Sequence, residues 1–183
     1  MNICSYLARL IDEKKLSGVK DGSIFLSGGS DNSRYRVELT GIESENVAVI
    51  NFGKSSHSSV IKKGCGYDRV CDYLILVPKA DNKAIALLCE LKSTFKGKGE
   101  GEKQLQASMP LVEYIKSMIY IHFNTKYQIV YKFAIISNKI VARLDKQSVR
   151  PEPKKPKIKI GNSKKLTCNV IIGAMIPLRK IVT

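Results

Sequence analysis

The chain has 183 residues, 44% of them hydrophobic, and its 31 Lys and Arg against 16 Asp and Glu leave a formal charge of +15. That length supports one domain around one core, and no apolar run approaches the ~18 residues of a membrane span, which argues against an integral membrane protein and against wholesale disorder. So large a positive surplus must face a polyanion or be held apart against self-repulsion, so nucleic acid is the expected partner, DNA before RNA, with no membrane.

Met1 to Ser17 carries Ile3, Leu7, Leu10 and Ile11 at helical spacing and ends at Gly18, which predicts one amphipathic helix. Asp12, Glu13, Lys14 and Lys15 stand where a secretory signal would be apolar, so a cytoplasmic location is expected. Three β-rich runs follow, Ile24 to Leu26, Tyr35 to Leu39 and Val47 to Phe52, separated by polar and Gly-containing stretches; they predict antiparallel strands. A polar loop, Ser55 to Gly66, leads into two apolar runs, Val70 to Val77 and Ala84 to Leu91, joined by Pro78 to Lys83 as a hairpin. Beyond a Gly- and Lys-rich loop, Leu105, Met109, Val112, Ile115 and Ile119 recur every three or four residues. They predict a long helix ending near Phe123, with Pro110 imposing a kink or a late start. Tyr127 to Ser137 reads as a strand and Leu166 to Ile172 as the last one. Between them, Lys146 to Lys165 holds eight basic residues against the single acid Glu152. Its Lys157-Ile158-Lys159-Ile160 alternates like a strand, so the segment is either a basic β-arm along a nucleic-acid backbone or a charged loop. The five cysteines (Cys4, Cys65, Cys71, Cys89 and Cys168) form no Cys-x-x-Cys pair and are read as reduced and mostly buried.

The hairpin carries the chemistry. A turn centred on Asp81 places Asp72 opposite Glu90, and strand alternation puts Asp72, Glu90 and Lys92 on one face, continued by Leu74, Leu76, Ala86 and Leu88. The other face, Tyr73, Ile75, Val77, Ile85, Leu87, Cys89 and Leu91, is expected to pack against helices. Two carboxylates at the edge of an apolar face raise each other's pKa, and a cation relieves them. Mg²⁺ suits such a site, because it keeps several waters while taking one or two carboxylates, and one of those waters can serve as nucleophile. Lys92 is placed to orient or deprotonate that water or to stabilise charge on an attacked phosphate. The blander alternative is a surface ion pair of Glu90 with Lys92 or Arg69.

Asp72, followed eighteen residues later by Glu90-Leu91-Lys92 at the ends of hydrophobic strands, resembles the PD-(D/E)XK nuclease superfamily over roughly Met1 to Ser137. The resemblance implies an α/β (α+β) restriction-endonuclease-like fold, a central mixed sheet with a catalytic hairpin and a helix on each side. It further implies a metal held by Asp72, Glu90 and the carbonyl of Leu91, with Lys92 as the catalytic lysine. The RecB-type branch adds a glutamine from the following helix, matched here by Gln104, although the tyrosine that branch carries four residues later is Ser108. Glu13 and His57 are candidates for an additional ligand, and Lys96 and Lys98 for a phosphate clamp. Lys154, Lys155, Lys157, Lys159, Lys164 and Lys165 are the candidate nucleic-acid contacts of the arm. Gly53-Lys54-Ser55 is no phosphate-binding loop, because Ala48 stands where its first glycine belongs. The expectation is a single nuclease domain over 1–183, with its core at 1–137 and a basic segment at 146–183. Its expected activity is Mg²⁺-dependent endonucleolytic hydrolysis of DNA, with Mn²⁺ substituting, and family habit suggests bacterial or phage defence. The alternatives are a non-catalytic nucleic-acid-binding subunit or an RNA-directed nuclease. Assembly is expected as a homodimer or as a subunit of a larger complex.

Overall fold

The first helix, α1 (Ile3–Leu10), begins where the Asn2 side chain accepts the Ser5 N–H at 3.1 Å. It is shorter than the Met1 to Ser17 periodicity predicts. Ile11 is already extended, Asp12 caps a separate 3-10 turn (Glu13–Lys15) by accepting the Lys14 N–H at 2.9 Å, and Leu16–Ser17 forms strand β1. An Asp side chain competing for nearby backbone N–H groups is what diverts the chain from helix there. The computed structural model describes residues 2–28, 35–42, 47–53, 69–93, 100–137, 157–160, 164–172 and 175–182. Its remaining elements are β2 (Ser23–Gly28), β3 (Tyr35–Thr40), β4 (Ala48–Asn51), β5 (Tyr73–Lys79), β6 (Lys83–Lys92), α2 (Glu100–Phe123), β7 (Gln128–Ser137), β8 (Lys157–Ile160), β9 (Lys164–Ile172), β10 (Met175–Pro177) and α3 (Arg179–Val182).

Among the described residues the strands form two sheets, so the protein is α+β with a mixed main sheet. The main sheet has seven strands in the order β1-β4-β5-β6-β7-β9-β8, and the smaller one is β10-β3-β2. Strands β4, β5 and β6 run antiparallel; α2 then crosses over so that β7 lies parallel to β6, and β9 parallel to β7. In the β5–β6 hairpin the observed register, Tyr73 with Cys89 through Lys79 with Lys83, is the one that the Asp81-centred turn predicts. Asp81 and Asn82 take positive φ of 59° and 51°, a conformation that short polar side chains tolerate better than most.

Alternation along β5 and β6 splits the core in two. Leu74, Leu76, Ala84, Ala86 and Leu88 pack with Ile3 and Leu7 of α1 and with Leu105, Val112, Ile115 and Ile119 of α2. Tyr73, Ile75, Leu87, Cys89 and Leu91 pack instead with Ile24, Leu26, Val37 and Leu39 of the smaller sheet and with Ile181 of α3. The sequence expectation is thus reversed: the face shared with the carboxylates is the helix-packing one, both long helices lie on it, and the opposite face is covered mainly by a sheet. Period-two alternation separates the faces without saying which layer covers either.

Helix α2 also starts earlier than Pro110 predicts and runs through it from Glu100. A proline in a helix interior costs about 3 kcal/mol, whereas each apolar side chain buried here contributes roughly 1.5–3 kcal/mol, so four of them outweigh it. Strand β9 is not the last strand, since β10 pairs in parallel with β3 and leads into α3; Ile176, Leu178 and Ile181 are buried there. Runs that short carry too little periodicity to be read. Cys4, Cys71 and Cys89 are thiols, the last two buried. Among the described residues no helix is long and apolar enough to cross a membrane.

Candidate active site

The chain ends of β5 and β6 that meet beside the first turns of α2 bring together four of the residues that the sequence singles out. Asp72 immediately precedes β5, and its Oδ2 accepts the Leu91 N–H at 2.7 Å, which fixes the carboxylate against the end of β6. Glu90 and Lys92, two apart on β6, share a side. Lys92 Nζ lies 2.7 Å from Glu90 Oε1 and donates to Gln104 Oε1 at 3.0 Å. Gln104 Nε2 in turn reaches the Val70 carbonyl at 3.5 Å.

One further residue holds this arrangement, and the sequence marks it only as a departure from the resembled branch. Ser108 is fully buried one helical turn beyond Gln104; its Oγ donates to the Gln104 carbonyl at 2.7 Å and accepts the Cys71 N–H at 2.8 Å. A small hydroxyl therefore clips α2 to the segment that presents Asp72. Ser108→Ala leaves the buried Cys71 N–H without its acceptor, which costs about 1–3 kcal/mol. Denaturant unfolding should show that loss as a lower midpoint at unchanged slope; an unaltered midpoint would mean that the clip contributes nothing.

Gly101 is the other unread contributor. A Cβ there would meet Ile135 Cδ1 at 3.2 Å, Glu90 Cγ at 3.5 Å and Lys92 Cε at 3.5 Å. Glycine lets the start of α2 lie directly on the two site side chains.

The electrostatics separate this cluster from a surface ion pair. Glu90 is 2% exposed, and burial, reinforced by the charge of Asp72, pushes its carboxyl up to about 7 despite Lys92. Burial likewise raises Asp72, against the Leu91 N–H and Lys92, which lower it. One ammonium cannot satisfy both carboxylates, and Glu90 Oε2 is buried without a hydrogen-bond partner. An orphaned carboxylate oxygen beside a second carboxylate fits a divalent cation. Asp72, Glu90 and the Leu91 carbonyl would hold it, an all-oxygen set suited to Mg²⁺ or Mn²⁺.

Of the other predicted residues, Glu13 does not join them. Among the described residues no group of three or more His, Cys, Asp or Glu could hold a metal. Glu13 is exposed on the 3-10 turn, because α1 closes at Leu10 and carries it out of the helix. His57, Lys96, Lys98, Lys154 and Lys155 lie outside the described residues. Lys157 and Lys159 fall in β8, Lys164 and Lys165 in β9, with Lys159 opposite Lys165 in the antiparallel register. Comparison of the chain with family models, with curated proteins and with solved structures finds no match.

Proposed function

We propose that this protein is a divalent-metal-dependent nuclease of the PD-(D/E)XK type, hydrolysing phosphodiester bonds in DNA at the Asp72, Glu90 and Lys92 site. The observation that carries the reading is the carboxylate pair of buried Glu90 and half-buried Asp72, with an orphaned Glu90 oxygen, set beside a lysine that Gln104 holds in place. A cluster of this cost at the edge of a packed sheet is the mark of a functional site rather than of a stabilising one. The mixed sheet with its α2 crossover between β6 and β7, and the charge of +15, both accord with it.

Each side chain has a distinct task. The Leu91 N–H fixes one Asp72 oxygen, so the carboxylate keeps its orientation when a cation binds or leaves. Lys92, an ammonium with three donors, directs one to Glu90 and one to Gln104; the third is available for a phosphate oxygen or the attacking water. Gln104 accepts from Lys92 and is itself tied to Val70, which restrains the ammonium without neutralising it. A bound Mg²⁺ would supply Lewis-acid polarisation of the phosphate and acidification of a water.

The test is incubation of plasmid, single-stranded DNA and RNA with Mg²⁺, Mn²⁺ or EDTA. Metal-dependent cleavage of DNA is expected. Cleavage of RNA alone would reassign the substrate, and intact nucleic acid in every tube would leave a binding subunit.

The basic arm bears on affinity. The backbone register sets Lys159 opposite Lys165, so the two strands line up basic residues along one stretch of sheet for a polyanion to meet. Replacing Lys157, Lys159, Lys164 and Lys165 by Gln should reduce the slope of log K against log salt on duplex DNA. The reduction is about 0.9 for each lysine that meets a phosphate. An unchanged slope would remove β8 and β9 from the interface.

A further inference from the structure

Among the described residues two buried side-chain polar atoms have no hydrogen-bond partner, Glu90 Oε2 and the hydroxyl of Tyr35. Glu90 stands near the end of β6 in the main sheet, and Tyr35 packs from the smaller sheet onto the cluster that includes Leu91. Tyr35 opens β3 and pairs with Gly28 of β2. A Cβ on Gly28 would meet Leu91 Cβ at 2.9 Å and the Tyr35 hydroxyl at 3.0 Å, so the phenol and Leu91, whose N–H anchors Asp72, border the same small space. Only a glycine at position 28 leaves that space open.

The neighbouring phenol is an internal control. The Tyr73 hydroxyl accepts the Ser27 N–H at 3.0 Å and donates to the Ser27 carbonyl at 3.1 Å, with Asn51 Nδ2 at 3.4 Å. A tyrosine with a purely structural role in this layer has its hydroxyl satisfied by the protein. Tyr35 has no such partner, and a buried hydroxyl left unpaired costs about 1–3 kcal/mol that phenylalanine would avoid.

We infer that the Tyr35 hydroxyl is a further substrate-contacting group, donating a hydrogen bond to a non-bridging oxygen of the phosphodiester held against Asp72 and Glu90; this rests on the nuclease reading above. The chemistry of the two orphans favours a phosphate accompanied by a cation. An anion alone would be repelled by Glu90, and a cation alone would leave the phenol proton without an acceptor. Burial first, then the charges of Asp72 and Glu90, keep the phenol protonated and hence a donor. Lys92 and Gln104 approach from the helix layer, whereas Tyr35 comes from the smaller sheet, so the bound phosphate would be gripped from both sides of the main sheet.

The experiment compares the wild-type chain with Tyr35→Phe in three measurements. Thermal unfolding without ligand should find the variant at least as stable as wild type, since the hydroxyl it lacks is unpartnered. Anisotropy with a fluorescein-labelled DNA duplex in Ca²⁺ should show about tenfold weaker binding, the worth of one hydrogen bond to a charged group. Cleavage in Mg²⁺ should fall by about 10²-fold, as when one donor to a developing oxyanion is removed. A variant that is less stable without ligand yet binds and cleaves as wild type does would overturn the inference and make the hydroxyl a structural one. If wild type cleaves nothing but Tyr35→Phe still loses duplex affinity, the nuclease reading fails and the phosphate contact stands. If wild type cleaves and the variant matches it in binding and rate, the contact fails and the nuclease reading stands.

Discussion

Asp72→Asn and Glu90→Ala should each lower the rate of DNA cleavage by at least about 10³-fold while the protein stays folded, because in the proposed nuclease these two carboxylates hold the divalent ion. Asp72→Asn is the sharper variant: an amide oxygen can still accept the Leu91 N–H, so the local fold keeps its 2.7 Å anchor and only the charge is lost. Lys92→Met should lose a similar factor for another reason. It removes the ammonium shared by Glu90 and Gln104 but leaves both carboxylates, so Ca²⁺ or Mn²⁺ affinity measured by calorimetry should persist. The same titration on Glu90→Ala should show that affinity lost. Full activity in either carboxylate variant would remove the proposed site, and metal affinity that vanished with Lys92 but survived without Glu90 would reverse the assigned roles.

The hairpin was legible because period-two alternation and a turn centre together determine a register. From Asp81 alone the opposition of Asp72 and Glu90 follows, and the ladder from Tyr73–Cys89 to Lys79–Lys83 agrees. Gln104 entered through the resemblance, on a helix whose own period was clear. What could not be read was the third dimension. Nothing in the alternation of Tyr73, Ile75 and Leu87 says that a second sheet covers them, since a strand face is equally apolar under a helix or a sheet. Tyr35 stayed hidden for the same reason: it shares parity with Val37 and Leu39, which marks it as core-facing, but its nearness to Asp72 depends on how two sheets stack. Ser108 had a signal, a polar residue four beyond Gln104 on the same helix face, but its meaning depends on the Cys71 N–H across the interface. Glu13 misled because four apolar residues at helical spacing outweighed the capping preference of Asp12.

Glu90→Gln should make the metal-free protein more stable at pH 8 and leave it little changed at pH 4. In the folded protein the Glu90 carboxyl is pushed from 4.5 up to about 7, by burial first and by Asp72 second, with Lys92 opposing. A carboxyl whose folded pKa is raised binds its proton more tightly folded than unfolded. Below pH 4.5 both states hold the proton and the shift contributes nothing. Between 4.5 and 7 the unfolded chain gives the proton up first, so stability falls as pH rises, and above 7 the full penalty is present. A shift of that size corresponds to about 3 kcal/mol, a substantial part of a domain's net stability. Asp72, raised in the same direction, adds to the slope and remains in the variant, while the Tyr35 phenol stays neutral throughout. Glutamine keeps an amide oxygen for Lys92 and carries no charge to desolvate, so the pH dependence between 4.5 and 7 should flatten. Unfolding midpoints in EDTA across pH 4–8 measure this directly, and a variant less stable than wild type at pH 8 would mean that the Lys92 pair outweighs the burial of the charge. Millimolar Mg²⁺ should then raise the wild-type midpoint at pH 8 and the variant's much less, since a ligand stabilises the state that binds it and the cation relieves the charge the variant lacks.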